Sequence, residues 1–264
     1  MGSTDAGGRV ETAGNARDAR ATERRGQRMI WIGTGVVVLL VAALTAVLLA
    51  TQGGTSVPGP AKPSAADLAA PKSLQHAAAA IGFHPEPIPG VGKIEDDAAS
   101  AAVPSTNPAL LAAGTAAPAF TLKTPLGETV SLHDFAGKAL LLEFFATSCP
   151  HCQAEAPHLE KLYRSLDHSR YAMASINADG EGAPSIYAFH RYFGLTYPAL
   201  IDVRGRAGSW HSPGALGPVT AAYKVSNFPT FYVISPSGRV TYAANAEEPT
   251  AKLMQELQRA AAGG

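Results

Sequence analysis

Seven residues, Ala139 to Phe145 (ALLLEFF), form a nearly continuous apolar run that leads within a few positions into Cys149-Pro150-His151-Cys152. Runs of this kind belong to strands covered on both faces. Immediately behind it, Leu159, Leu162 and Leu166 recur at helical spacing, while Glu160, Lys161 and Arg164 fall elsewhere on the helix. The chain must therefore hold a buried strand, a tight turn and an amphipathic helix in succession, and such a strand needs a layer on each side.

The surrounding residues supply those layers. Phe120–Lys123 and Thr129–Leu132 flank a Pro125–Gly127 turn and read as a hairpin. Tyr171–Asn177 reads as a strand and Pro184–Phe193 as a helix with Ile186, Phe189 and Phe193 on one face. Thr230–Ile234 (TFYVI) is a β-branched and aromatic strand, returning through a Ser235–Gly238 turn into Arg239–Ala243. Thr250–Ala262 closes the chain as a helix, and Ala199–Pro218, rich in Gly and Pro, reads as a surface loop. Alternation of this kind predicts an α/β fold, a central mixed sheet flanked by helices, with an N-terminal hairpin, over residues 114–264.

Upstream the texture differs. Met29 to Ala50 carries no charged side chain and is long enough to cross a hydrocarbon core of about 30 Å as a helix. Arg17, Arg20, Arg24, Arg25 and Arg28 precede it, against Asp18 and Glu23, which predicts a single-pass anchor with residues 1–28 in the cytoplasm and everything after Ala50 across the cell membrane. A cleaved signal peptide would have a shorter apolar core, about 7–15 residues, and small residues before the cleavage point, where Leu48 stands instead. Residues 51–113 are a Pro/Ala/Gly mixture and read as a flexible linker, with Ala-rich Asp67–Ile81 suited to a short helix that Pro71 limits. The 21 basic and 21 acidic side chains balance, which gives no argument for a nucleic-acid partner.

The chain has two cysteines, both in the CPHC turn. A disulfide closing so small a loop constrains little of the unfolded chain, so the pair is chemical rather than a staple. Cys149 falls where the helix begins, where unpaired N–H groups and the helix dipole favour a thiolate; it is the expected nucleophile. Cys152, one turn on, is placed to resolve a mixed disulfide, giving a Cys149–Cys152 redox pair. Pro150 suits the first helical position, and a protonated His151 would stabilise the thiolate. Glu143, the one charge inside the apolar run, is costly there unless neutral, hydrated or paired, and is read as a proton shuttle for Cys152. The bland reading puts Glu143 on an edge strand facing water.

On these residues the chain resembles the membrane-anchored thioredoxin-like proteins of the TlpA/ResA group. The matching features are the GTAAPAFTL opening, GKALLLEFFATSCPHC, the Glu155-Ala156-Pro157 step and NFPTFYVISPSG. The resemblance implies a thioredoxin-like fold and thiol-disulfide exchange on protein substrates, in cytochrome c maturation, copper-site assembly or oxidative folding. It also implies a membrane electron-transfer partner and no cofactor. It assigns Pro229 as a cis proline facing the cysteines beside Phe228, and Pro157 as a kink in the active-site helix. The CPHC turn is also similar to that of the oxidase DsbA, whereas the TlpA/ResA group more often acts as reductants. Ser148 departs from the group, which usually has Trp before the first cysteine.

Two rivals stand against this reading. A peroxiredoxin shares the core, but Leu142 and Ala146 occupy the places of its peroxide-orienting Pro and Thr. A copper metallochaperone would use Cys149, His151 and Cys152, since thiolates select Cu(I); zinc would want four ligands. His133, His158, His168, His190 and His211 show no joint spacing and are expected to face mostly water. Asn177-Ala178-Asp179-Gly180 reads as a turn rather than a calcium loop, Trp31 as an interface anchor and Trp210 as a loop contact.

Overall fold

The computed structural model describes residues 60–62, 64–85, 109–202 and 216–263, all within the compact unit Gly54–Gly264. The anchor expected at 29–50, the tail before it, Trp31, Trp210 and His211 lie outside the described residues. Among those described, no helix is long and apolar enough to cross a membrane.

Seven strands form one mixed sheet: β1 (Thr121–Lys123), β2 (Thr129–Ser131), β3 (Ala139–Phe145), β4 (Tyr171–Asn177), β5 (Ala199–Ile201), β6 (Thr230–Ile234) and β7 (Val240–Ala244). Their order is β2-β1-β5-β4-β3-β6-β7. Six described helices accompany them: α1 (Ala65–Ala69), α2 (Lys72–Ile81), α3 (Pro150–Ser165), α4 (Ala183–Phe193), α5 (Pro218–Ala222) and α6 (Thr250–Ala262). β3 pairs parallel with β4 and antiparallel with β6, so it is central and fully paired. All seven of its residues are buried, as a continuous apolar run requires.

The pleat of β3 divides the core in two. Ala139, Leu141 and Phe145 pack with Cys152, Ala156 and Leu159 of α3, Ile186, Phe189 and Phe193 of α4, and Leu253 and Leu257 of α6. Leu140, Leu142 and Phe144 face the other way, against Val219 and Tyr223 beside α5 and against Phe120, Tyr232 and Ile234. Glu143, alternating with Leu141 and Phe145, therefore belongs to the face that α3 covers.

Two expectations change. The Ala199–Pro218 stretch is not all loop: Ala199–Ile201 is β5, parallel to β4 and antiparallel to β1, and α5 starts at Pro218. Part of the expected linker is structured. Ser64 caps α1 through a reciprocal box with Asp67, and Pro71, which cannot continue a helix, separates α1 from α2. The pair packs on α4, burying Ala70 and Ala78 with Tyr187, whose hydroxyl donates to the Asp67 carbonyl at 2.9 Å. Phe83 sets its ring 5.3–5.8 Å from those of Phe189, Tyr192 and Phe193. Tertiary packing thus supplies what an isolated helix of this length lacks. The approach is close: at Gly194, which closes α4 with φ +67°, a Cβ would stand 2.7 Å from that of Ala61.

Candidate active site

Helix α3 begins where β3 leaves the sheet. Cys149 is its N-cap, with extended backbone angles, and Pro150 opens the first turn, where its missing N–H costs nothing. The Cys149 thiol is half-buried; Cys152, one turn in, is fully buried, and neither is bridged. The backbone N–H of Cys152 points at Cys149 Sγ at 3.4 Å. On its other side, Cys149 Sγ lies 3.6 Å from the carbonyl oxygen of Phe228, and the Phe228–Pro229 peptide is cis. Two separate loops, one after β3 and one before β6, thus meet at one sulfur.

The electrostatics separate the two thiols. The contact with the Cys152 side chain, the backbone N–H groups of Cys152 and His151 and the charge of His151 together bring Cys149 down to about 7, against the opposing effect of burial. Burial drives the Cys152 thiol well up, and the neighbouring Cys149 and Glu143 charges add to it. Burial also raises Glu143 to about 8, with the Cys149 charge contributing, so its carboxyl is largely neutral at pH 7 beside a Cys149 thiolate. The edge-strand reading of Glu143 falls here, because β3 is paired on both sides. Tyr197 is another neighbour, its phenol pushed up by burial and by the Glu143 charge.

A copper site is not favoured. Among the described residues no group of three or more His, Cys, Asp or Glu side chains is arranged to hold a metal. His151 Nδ1 is engaged by Glu247.

The AhpC/TSA family model matches residues 113–243. The thioredoxin-like protein YneN of Bacillus subtilis is 35% identical over 127 residues, covering 47% of this chain and 66% of that one. The thiol-disulfide oxidoreductase ResA of Geobacillus kaustophilus is 31% identical over 135 residues, covering 51% of this chain and 70% of that one. The chain belongs to the ResA-type family of thioredoxin-like thiol-disulfide oxidoreductases. It spans 66% of the length of the Bacillus subtilis YneN and 64% of that of a second relative from the same organism, the thiol-disulfide oxidoreductase ResA, just under two thirds of each. Among solved structures, a secreted Mycobacterium tuberculosis disulfide oxidoreductase superposes with TM-score 0.44 and 22% identity, over 53% of this chain and 95% of that one.

In this ResA-type chain the matched stretch also holds residues that frame the site, of which the sequence did not single out Thr147, Gln153 and Glu181. Glu181, after β4, accepts from the Thr147 N–H at 2.9 Å, from the Thr147 hydroxyl and from Asn177 Nδ2 at 2.8 Å. Gln153 Nε2 donates to the Thr147 carbonyl at 2.8 Å, so both backbone polar groups of Thr147 are fixed two residues before Cys149. Asp179, partly buried beside Glu181, is raised to about 7 by burial first and by the Glu181 charge second. Glu181, braced by Asn177, therefore clamps one side of the turn before Cys149 and Gln153 the other.

Pro157 does sit inside α3, where it removes one helical hydrogen bond. His133 and His168 are exposed as expected. His190 is the exception: its ring packs 5.4 Å from Tyr197 and 6.0 Å from Phe145, and burial lowers it to about 3, so it is uncharged.

Proposed function

We propose that this chain carries out thiol-disulfide exchange on protein substrates, with Cys149 as nucleophile and Cys152 as resolving thiol. The observation that carries this is the placement of Cys149: half-buried at a helix N-cap, lowered to about 7, and 3.6 Å from the Phe228 carbonyl, over a buried partner thiol held protonated. In the reductive direction the Cys149 thiolate attacks a substrate disulfide, forms a mixed disulfide and releases one substrate thiolate. Forming that bond removes the Cys149 charge, which is one of the two causes that hold Glu143 up. Glu143 then gives up its own proton more readily, to solvent, and the carboxylate so formed takes the proton of the Cys152 thiol. The Cys152 thiolate attacks Cys149 Sγ, closes the internal disulfide and releases the second substrate thiolate. Two electrons pass from the cysteine pair to the substrate, and oxidation runs the same steps in reverse. Pro150 fixes the turn, and Phe228 with cis Pro229 offers a backbone edge to a substrate strand.

The same reading places the reaction outside the cytoplasm, with residues 29–50 as a single-pass anchor and a membrane electron carrier that resets the pair. The charge-free run following an arginine cluster supports it. The test is turnover of a disulfide substrate such as insulin by the full chain in detergent, against Cys149→Ser and Cys152→Ser. Turnover lost in both supports the exchange reading, and turnover that survives in Cys149→Ser overturns it.

A further inference from the structure

The short connection between β7 and α6, residues 245–249, touches the loop before β6 and helix α3, the two elements that meet at Cys149. Asn245 Nδ2 donates to Asn227 Oδ1 at 3.0 Å, and Asn227 Nδ2 donates back to the Asn245 carbonyl, which ties the connection to the loop that carries cis Pro229. The Glu248 N–H donates to Glu155 Oε1 at 2.6 Å, which ties it to the second turn of α3. Between these two, the Glu247 carboxylate meets His151 Nδ1, in the dipeptide that separates the cysteines.

The two side chains of that last pair differ in freedom. His151 is 54% exposed and Glu247 11% exposed. A half-exposed ring without a fixed acceptor samples several rotamers and spends part of its time in water. A largely buried carboxylate, itself set in a connection pinned at both flanks, holds the ring in one of them. The ring matters because the His151 charge is one of the influences that lower Cys149.

We propose that Glu247 is a positioning residue for the exchange reaction: it fixes the His151 ring beside Cys149, so that the charge of the imidazolium bears on the thiolate. This rests on the reading of Cys149 as nucleophile. The charged groups near the connection are Glu155, Glu248 and, at the start of α6, Lys252, whose Nζ pairs with Glu256 at 3.3 Å. Glu247 carries a negative charge of its own, which acting alone would disfavour the thiolate. His151 is two residues from Cys149 and its charge reaches the sulfur, so loss of ring placement outweighs loss of the carboxylate charge.

The test uses the full chain, reduced, with Glu247→Gln, His151→Gln and the double variant. Thiolate absorbance gives the Cys149 titration, and equilibration with glutathione gives the dithiol–disulfide balance. Glu247→Gln is expected to raise the Cys149 pKa by about half a unit to one unit and, measured at pH ~9 where the thiolate predominates in both proteins, to move the glutathione equilibrium roughly three- to tenfold toward the protein disulfide. His151→Gln should do at least as much, and Glu247→Gln should add nothing to it. An unchanged titration in Glu247→Gln, or the same shift with and without His151, overturns the proposal; so does a lower Tm with no change in the titration. If the parent chain titrates as described but turns over no disulfide substrate, the functional reading fails while the Glu247 effect is still measured.

Discussion

Glu143 feels the charge of Cys149: the carboxyl in β3 is raised to about 8 by burial and then by that charge, on a thiol that its own neighbours lower to about 7. Glu143 shares a sheet face with Leu141 and Phe145, under α3, so burial is the larger cause and the thiolate the smaller. The proposed proton-transfer role rests on this contact, because the carboxyl ionises more readily when Cys149 becomes part of a mixed disulfide. Glu143→Gln should slow resolution of the mixed disulfide by about 10²-fold and remove the limb of its pH–rate profile, which lies below 8 once the Cys149 charge is gone, with the fold retained. Stopped-flow exchange with a fluorescent disulfide peptide across pH 6–9 (roughly the working range of thiols) checks it.

The same shift sets a stability trend. The folded value lies above the unfolded one, 4.5, so below about pH 4.5 both states hold the proton and nothing is lost. Between there and about 8 the unfolded chain releases the proton and the folded chain keeps it, so folding stability falls as pH rises, by on the order of 4 kcal/mol. In Glu143→Gln the decline should be smaller by that amount, leaving the part that Asp179, raised to about 7, contributes. Urea unfolding at several pH values measures it, and equal pH slopes in both proteins would contradict the burial of an ionisable carboxyl.

The clamp on the active-site turn should be visible in stability and in reactivity together. Glu181→Gln leaves the Thr147 N–H and hydroxyl facing an amide and should cost about 1–3 kcal/mol while altering the rate of Cys149 alkylation. Thr147→Val removes the hydroxyl alone and should cost less. Denaturation midpoints and iodoacetamide rates read the two effects separately.

The α1–α2 pair should loosen when its close approach is filled. Gly194→Val adds bulk where a Cβ already stands 2.7 Å from Ala61, at a φ of +67° that favours glycine. Phe83→Ala removes a ring from the cluster with Phe189, Tyr192 and Phe193, at a cost of about 3 kcal/mol. Both should speed proteolysis within residues 60–85 while leaving the rest of the domain resistant.

The parts of this structure that could be read in advance are those whose signal is local. ALLLEFF, the CPHC turn and the leucines behind it carry their periodicity within about thirty residues, and β3 and α3 lie where that pattern puts them. Tyr171–Asn177 and Thr250–Ala262 coincide with the elements found, for the same reason. β5 was hidden because three residues, Ala199–Ile201, become a strand only through their neighbours β4 and β1. Glu181 and Glu247 were hidden because their partners, Thr147 and His151, are 34 and 96 residues away, and no spacing rule connects them. For α1 a signal was present: Ser64 and Asp67 stand at the spacing of a capping box, before an alanine-rich stretch.

The asymmetry between the two thiols makes a direct statement about alkylation. With Cys149 near 7 and Cys152 well above its ordinary value, iodoacetamide should label one site per reduced chain. Its rate should rise about tenfold per pH unit up to about 7 and then level. Cys149→Ser should be almost inert in the same range.

Capture of the mixed disulfide tests the central assignment most directly. The full-length Cys152→Ser chain, incubated with a disulfide-bonded protein substrate, should accumulate a covalent adduct that dithiothreitol releases and that mass spectrometry maps to Cys149. Cys149→Ser should capture none. Accumulation in Cys149→Ser, mapped to Cys152, would contradict the account.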